Sequence, residues 1–331
     1  IKLQKNLNSI SGAFDTSQYS YIFYVLPAGE FEHFIKNYLI NQKINNFTIC
    51  SKGLSTNGQL ISVVAKAYLK FKNLYILSGP SFAEEVIKGL PTALSVSSNS
   101  SPLSLGKLFK GTNIRIYYSK NYKTLEVLGV IKNIYAIGAG IIDALSLGEN
   151  ARAAYIARCI AEIQFILKNS KFDNKQILTL GGIGDLILTC SSKKSRNYSF
   201  GYNFINSKNK NTNIQNKKTI EGLNSIFLIN KNLELNINNL PILKSISNIV
   251  KRFPINLVFK SLLFISVILM YLYWKNYNYL FIKILNSRNN KFVFFGVASA
   301  LFLFLHIGLL HPFFRLVCCR LQLEVCYWVF F

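Results

Sequence analysis

Acidic side chains are scarce in this sequence. Its 331 residues include 38 lysines and arginines but only 14 aspartates and glutamates, which gives a formal net charge of +24 at pH 7. A surplus of positive charge makes nucleic acid and anionic membranes candidate partners. The basic residues are scattered among asparagine and isoleucine, however, and no recognisable nucleic-acid-binding module accompanies them. We therefore attribute the charge to compositional bias and expect no nucleic-acid partner.

Metal-binding and secretion patterns are missing as well. The six cysteines form no Cys-x-x-Cys pair and have no histidines at zinc-type spacing, which argues for a reducing compartment and against a structural metal. The N-terminus lacks the basic start and short apolar core of a secretory signal. These absences predict a cytoplasmic protein.

The glycine-rich turn that opens a dinucleotide-binding domain is absent too. Such a domain begins with a strand, a Gly-x-Gly-x-x-Gly turn and a helix whose N-terminus holds a pyrophosphate. No such glycine pattern precedes Tyr21, and the chain begins at Ile1 rather than methionine. The sequence therefore indicates either another kind of α/β domain or one that lacks its first strands.

Short apolar runs alternate with helix-like segments through the N-terminal third. The runs are rich in β-branched and aromatic residues and are bounded by turn residues, which is typical of buried strands. This alternation predicts a parallel sheet with helices on its faces, and ligands bind such sheets at the carboxyl ends of the strands. Strands are predicted at 20–26, 47–50, 73–77, 92–98 and 113–119, and helices at about 29–41 and 57–70.

Polar residues follow two of these predicted strands. Lys52 comes just after the second strand, and the segment 78–81 (Ser-Gly-Pro-Ser) comes just after the third. Ser81 and Glu84 have the spacing of a capping box, so a capped helix is one explanation of this segment. A cap does not explain Gly79, whose turn brings the backbone close to any ligand in the cleft.

A lysine lies in the middle of an apolar stretch that predicts a helix pair over 126–162. At 3.6 residues per turn Lys132 shares a face with small or apolar residues and with Asp143. Burial lowers the pKa of a lysine, which makes the neutral amine available as a general base near neutral pH. The alternative is a lysine whose long side chain extends from the helix into solvent. This helix alone leaves both explanations open.

Two polar segments follow in the central region. The glycines at 181–184 predict a turn that places the carboxylate of Asp185 on a flexible corner. At 195–197 an arginine stands between a serine and an asparagine, and its planar guanidinium suits a phosphate group. Each segment taken alone is also compatible with an ordinary surface loop.

Several unrelated motifs recur in one order and at compatible spacings. They are SKG at 51–53, GPSFAEEVIKGLPTA at 79–93, IKN at 131–133, GENARAA at 148–154, GIGDL at 182–186, SRN at 195–197 and IEG at 220–222. Over roughly residues 10–262 the chain resembles the bacterial NAD(P)-dependent glycerol-3-phosphate dehydrogenases. The resemblance is strongest at GPSFAEE and GENARAA.

The resemblance implies roles for individual residues. Lys132 would accept the proton of the secondary hydroxyl during oxidation and return it during reduction. NAD or NADP would be the cofactor, contacted by Lys52, Ala83, Arg196 and Glu221. The substrate, glycerol 3-phosphate or dihydroxyacetone phosphate, would lie among Lys52, Gly79, Ser81, Asp185, Ser195, Arg196 and Asn197.

The resemblance also implies the architecture: an α/β domain followed by an all-α domain. Residues 1–118 would form an incomplete Rossmann-type parallel sheet, residues 119–262 a helical substrate domain, and a homodimer would fit such an enzyme. Because the first strand of a Rossmann sheet is central, we expect a chain without it to bind its cofactor poorly and to fold less stably. Helices are predicted at about 220–232 and 241–252.

The last part of the chain, 263–331, is apolar and resembles nothing in this family. The run at 292–310 has 19 residues without a formal charge, close to the length that spans a bilayer, and 262–274 is a shorter run. We expect either a membrane anchor or non-native sequence added by a lost stop codon or a shifted frame, and favour the second. A related hydroxyacid reductase and a non-enzymatic, membrane-associated basic protein are the alternative functions.

Overall fold

Five strands form one sheet in the N-terminal half of the chain. The computed structural model describes residues 14–170, 172–206, 220–232 and 237–251. The strands lie side by side in the order in which the chain forms them. They are β1 (Tyr21–Tyr24), β2 (Lys43–Ile49), β3 (Lys70–Ser78), β4 (Thr92–Ser98) and β5 (Ile114–Tyr118). All five predicted strands are therefore confirmed, and β2 begins earlier than its apolar run indicates.

Short helices connect these strands. They are α1 (Phe31–Phe34), α2 (Ile61–Tyr68), α3 (Ala83–Ile87) and α4 (Leu103–Lys107). A 3-10 turn, Ala28–Glu30, precedes α1 and a π-helical turn, Ile35–Leu39, follows it, so the predicted helix at 29–41 has three geometries. Helix α2 starts later than predicted because Gly58, at φ 81°, forms a turn before it.

The sheet is mostly parallel. The pairs β1–β2, β2–β3 and β4–β5 are parallel, as the alternation of strands and helices predicts. Strands β3 and β4 are antiparallel, with Tyr75 opposite Ser98. The segment between them, residues 79–91, contains only α3, which has 5 residues. The parallel prediction is wrong for this pair, because this segment turns the chain back alongside β3 instead of carrying it across a face of the sheet.

The core of the sheet region lies between the sheet and helices α1 and α2. Phe31, Phe47, Ile61 and Leu74 are fully buried in one hydrophobic cluster there. Leu125, from the helix that follows β5, is buried in the same cluster. The sheet region and the helical region thus share packed apolar side chains, which holds the ends of the strands next to the helices.

A long apolar helix, α5 (Tyr122–Ala144), lies at the centre of the helical region. Every residue from Thr124 to Ile142 is buried, so this helix has no side that faces solvent. The helices after it are α6 (Gly148–Asn169), α7 (Asp185–Cys190), α8 (Arg196–Asn206), α9 (Glu221–Asn232) and α10, over 241–251. The predicted helix pair and the two later predicted helices are confirmed.

Glycines bring α5 and α8 into backbone contact. A Cβ atom at Gly140 would collide with the carbonyl oxygen of Tyr198, and one at Gly201 would collide with that of Ile137. Because both obstacles are backbone atoms, a side chain at either position would push the helices apart. This contact places the start of α8 beside the central helix.

Helix α5 is also the one helix among the described residues that is long and apolar enough to cross a membrane. Its apolar window is 100% buried inside the protein, which identifies it as a core helix. The apolar runs at 262–274 and 292–310, on which the predicted membrane contact depends, lie outside the described residues.

Candidate active site

Lys132 lies in the middle of α5 with 6% of its surface exposed. Its Nζ donates hydrogen bonds to Oδ1 of Asp185 and to Oγ1 of Thr189, each over 2.8 Å. The alternative in which this side chain extends into solvent is wrong, because the whole surrounding part of α5 is buried. The apolar helix therefore directs its one central cation toward α7.

Asp185 is the residue on which two lysines converge. Its Oδ2 is 2.6 Å from Nζ of Lys52, and its Oδ1 is 2.8 Å from Nζ of Lys132. The hydroxyl of Ser78, at the end of β3, is 3.4 Å from the same Oδ2. We call Lys52, Lys132 and Asp185 the lysine–aspartate cluster. It joins the ends of β2 and β3 to α5 and α7.

The predicted flexible corner at Asp185 is wrong. Asp185 is the first residue of α7, is 2% exposed, and follows a π-helical turn over Leu180–Gly184. A Cβ at Gly182 would collide with the carbonyl oxygen of Ile177, and one at Gly181 would collide with Leu125. These glycines thus allow close packing rather than flexibility, and the packing fixes the carboxylate between the two lysines.

Burial and charge shift the pKa values of this cluster in a defined way. Burial lowers the pKa of Lys132 to about 8, although the nearby carboxylate of Asp185 opposes the shift. Burial alone would raise the pKa of Asp185, but Lys132 and Lys52 outweigh it, so that pKa lies below its usual value. Asp185 is therefore ionised at neutral pH, while Lys132 can exist as ammonium or as neutral amine.

The turn after β3 supplies a backbone oxygen to the cluster. Gly79, at φ 148°, directs its carbonyl oxygen to within 3.0 Å of Nζ of Lys52. A Cβ at this position would lie 3.1 Å from the carbonyl oxygen of Ala93, and the φ value itself favours glycine. The predicted Gly79 turn is therefore required by both the backbone angle and the available space.

The predicted capping box at Ser81 and Glu84 is wrong. Helix α3 begins after Phe82, which makes no side-chain cap. The hydroxyl of Ser81 instead donates to the carbonyl oxygen of Gly79 over 3.2 Å. The geometry differs because the serine stands one residue too early to cap this short helix. Ser81 and Ala83 are both exposed beside the turn.

Asn133 and Thr189 are polar contacts that the sequence reasoning missed. The amide of Asn133 donates to the carbonyl oxygen of Lys52 over 2.7 Å and lies 3.3 Å from Oε2 of Glu221. Thr189 stands one helical turn after Asp185 and accepts from Lys132. The i, i+4 spacing could have identified Thr189, and adjacency to Lys132 could have drawn attention to Asn133.

Glu221 and Asn197 connect α8 and α9 to this region. Oε1 of Glu221 accepts a 3.4 Å hydrogen bond from the backbone N–H of Ala28. Oδ1 of Asn197 accepts from the backbone N–H of Gly222 over 3.0 Å. Glu221 thus reaches the lysine–aspartate cluster through Asn133, which contacts Lys52, whereas Asn197 is connected to it less directly, through Gly222.

Ser195 and Arg196 differ in what holds them. Ser195 is buried, and its Oγ accepts from the backbone N–H of Tyr198 over 3.3 Å, which caps the start of α8. Arg196 is exposed and has no ion pair or hydrogen bond from its side chain within the part of the chain that the structure describes. Direct contacts thus unite Lys52, Gly79, Lys132 and Asp185, whereas Arg196 and Ala83 lie outside that set.

Comparison with known proteins places the chain in a family. The family model for the C-terminus of NAD-dependent glycerol-3-phosphate dehydrogenase matches residues 121–254, and the model for the N-terminus matches residues 1–103. A glycerol-3-phosphate dehydrogenase of Rickettsia bellii, described as NAD(P)+-dependent, is 32% identical over 262 residues, which cover 76% of this chain and 82% of that protein.

Further relatives agree. The enzyme of the same name from Erythrobacter litoralis is 37% identical over 203 residues, and the match spans 60% of this chain but only 61% of that protein. The crystal structure of glycerol-3-phosphate dehydrogenase from Coxiella burnetii superposes with a TM-score of 0.61 at 30% identity, covering 70% of this chain and 72% of that one. The motifs, the fold and these matches together show that the chain belongs to the NAD-dependent glycerol-3-phosphate dehydrogenase family.

Proposed function

We propose that the chain interconverts sn-glycerol 3-phosphate and dihydroxyacetone phosphate with NAD or NADP, and so supplies the backbone of glycerophospholipids. The observation that carries this proposal is the buried amine of Lys132, held 2.8 Å from both Asp185 and Thr189. The names of the relatives, which are glycerol-3-phosphate dehydrogenases, support the choice of substrate.

Lys132 would move the proton of the substrate hydroxyl. With a pKa of about 8, roughly a tenth of this lysine is neutral at pH 7, and the neutral form takes the O–H proton during oxidation. In the reverse direction the ammonium form protonates the carbonyl oxygen. Asp185 and Thr189 orient the amine by accepting two of its N–H hydrogen bonds. The lone pair of the neutral amine, or the third N–H of the ammonium, is then free to face the substrate.

The hydrogen on the same carbon leaves as hydride, which the nicotinamide cofactor accepts when it is bound. Residues beside the cluster suit such a group: the exposed guanidinium of Arg196 has no partner of its own among the described residues, and the turn at Gly79 exposes Ser81 and Ala83. Lys52, Ala83, Arg196 and Glu221 are the residues that we propose hold it.

The phosphate end of the substrate requires positive charge. The cluster combines two lysines with one carboxylate, so it carries a net positive charge whenever Lys132 is protonated. Lys52 has 19% of its side chain exposed, compared with 2% for Asp185, which leaves the lysine accessible to a ligand. We propose that Lys52, Gly79, Ser81, Asp185, Ser195, Arg196 and Asn197 surround the substrate.

The direct test is to measure reduction of NAD and NADP at 340 nm with sn-glycerol 3-phosphate for the wild type and for Lys132→Ala. Loss of a positioned proton acceptor should lower the rate by about 10²- to 10⁴-fold. Lys123→Ala is the matched control, because Lys123 lies on the same helix but is exposed. Circular dichroism establishes that each variant is folded.

Two results would contradict the proposal: a wild-type protein without turnover, or a Lys132→Ala variant as fast as Lys123→Ala. Separate assays that follow oxidation of NADH or NADPH with a 2-keto acid test the hydroxyacid reductase alternative. A cytoplasmic location, a homodimer and membrane contact through 263–331 are further parts of the proposal. Cell fractionation and light scattering test them.

A further inference from the structure

An ion pair outside the lysine–aspartate cluster joins α3 to the segment before α8. Nζ of Lys194 lies 2.7 Å from Oε1 of Glu85, and it also lies 5.7 Å from the centre of the Phe82 ring. Phe82 and Glu85 belong to α3 and its start, which follow the turn at Gly79. Lys194 stands two residues before Arg196. The contact therefore links the segment after β3 to the start of α8.

The backbone around Lys194 is tied to α8. Its N–H donates to Oγ of Ser192 over 3.2 Å, and the N–H of Ser195 donates to the carbonyl oxygen of Ser192 over 3.0 Å. The N–H of Ser199 then donates to the carbonyl oxygen of Ser195 over 2.9 Å. Because these bonds run from the turn into the helix, anything that holds Lys194 also limits where Arg196 can lie.

We propose that Phe82, Glu85 and Lys194 form a clasp that positions the Arg196 end of α8 against the Gly79 turn for a phosphorylated substrate. This inference rests on the proposed function, because it treats Arg196 as a ligand of the substrate or cofactor. Glu85 and Lys194 are positioning residues here and act through α8. Their side chains are 41% and 47% exposed. Breaking a surface ion pair of this kind should change KM by about two- to five-fold.

A competing role for Lys194 makes the opposite prediction. If its ammonium bound the substrate phosphate directly, Glu85 would compete with the phosphate for it. Replacing Glu85 would then release Lys194 and lower KM or leave it unchanged. If the clasp positions α8, the same replacement raises KM. The sign of the Glu85→Gln effect therefore distinguishes the two roles.

The experiment compares kcat and KM for dihydroxyacetone phosphate in Glu85→Gln, Lys194→Gln and the double variant. We expect KM to rise about two- to five-fold in each single variant, with kcat nearly unchanged and no further rise in the double variant. Glu149→Gln is the control: it removes the same charge at a glutamate that is 90% exposed and pairs with Arg152. Additive effects, or an equal effect of Glu149→Gln, would overturn the clasp.

A second readout does not depend on activity. Acetic anhydride labelling of Lys194, measured by mass spectrometry, should be about two- to five-fold faster in Glu85→Gln than in the wild type and unchanged in Glu149→Gln. Equal labelling in all three proteins would show that the ion pair does not form in solution and would overturn the inference. If the wild type has no turnover but Lys194 is still labelled faster in Glu85→Gln than in the wild type, the ion pair forms in solution. That result would contradict the proposed function and not the clasp.

Discussion

The carboxylate of Asp185 holds the amine of Lys132 at 2.8 Å and thereby connects the first turn of α7 to the middle of α5. The same carboxylate holds Lys52 at 2.6 Å. Two cations next to each other in a buried site require an anion between them. We infer that Asp185 is what allows both lysines to occupy the end of the sheet.

Replacing Asp185 with asparagine should destabilise the protein. The change leaves two buried or half-buried lysines without a counter-charge, and breaking a buried ion pair costs about 3 to 5 kcal/mol. Urea unfolding measures the loss. Glu149→Gln is the control, because Glu149 is 90% exposed and pairs with Arg152 at 3.5 Å; its replacement should cost less than about 0.5 kcal/mol. Equal losses in both variants would contradict the role of Asp185.

The rate of alcohol oxidation should rise with pH through about 8. Burial lowers the pKa of Lys132 to about 8, and only the neutral amine accepts the hydroxyl proton. A plot of log kcat/KM against pH should therefore have a slope near one below this value and level off above it. A midpoint near the usual lysine value, more than two units higher, would show that a buried amine does not control the rate.

The same pKa shift predicts how stability depends on pH. Between about 8 and the usual value of 10.5, the unfolded state binds the Lys132 proton and the folded state does not. Stability from this group must then increase as pH rises through that window. The gain is about 3 kcal/mol at most. Lys132→Met should remove the rise in the free energy of unfolding, while Lys123→Met should keep it.

The buried carboxyl of Glu126 should make stability depend on pH in the opposite direction, and at lower pH. Burial raises its pKa from 4.5 to about 7; one carboxylate oxygen accepts from the N–H of Ser62 over 3.0 Å, and the other has no hydrogen-bond partner among the residues that the structure describes. In this window the folded state keeps the proton that the unfolded state has lost, so stability falls as pH rises from 4.5 through 7. The full loss is about 3 kcal/mol at most.

The test for Glu126 is the free energy of unfolding measured from pH 4.5 to pH 8. Glu126→Gln keeps an oxygen that accepts from Ser62 but cannot ionise, so its stability should decline less over this range. Glu84→Gln, on the exposed helix α3, should follow the wild type. A Glu126→Gln variant with the full wild-type decline would contradict the assignment.

Gly140→Ala should destabilise the contact between α5 and α8. The added methyl group meets the carbonyl oxygen of Tyr198, a backbone atom that can move only if the helices separate. Overpacking of this kind costs about 1 to 3 kcal/mol or more. Gly29→Ala is the control, because a Cβ at Gly29 meets no atom of the described part of the chain within 4 Å. Thermal unfolding of the two variants gives the comparison, and equal melting temperatures would be inconsistent with close packing.

Local patterns predicted much of the fold. The run at 92–98 became β4 with the same limits, because β-branched and small residues between turn residues define both ends. The early start of β2 was not predictable from apolarity. Asn46 lies in that added part, and it is held by a side-chain hydrogen bond of 2.9 Å from Asn73 on β3. That pairing exists only once the strands are side by side.

The candidate site could likewise be predicted from the sequence only in part. Lys132 could be found from the sequence because a cation inside an apolar helix is costly unless it has a partner. The partner could not be found by the same argument. The glycines before Asp185 are typical of a loop, and only the packing of Gly182 on the backbone of Ile177 shows that they bury the carboxylate. Arg196 remains a residue whose role depends on a bound ligand.

Chemical rescue tests the central claim, that the Lys132 amine accepts the substrate proton, most directly. The Lys132→Ala variant is assayed with sn-glycerol 3-phosphate and the better of NAD and NADP in the presence of methylamine, with Lys123→Ala as the control. We predict a low rate without added amine, saturable recovery with methylamine in Lys132→Ala, and no response in Lys123→Ala. A Lys132→Ala variant that is already as fast as the wild type, or one that no amine restores although it folds and binds substrate, would contradict the account.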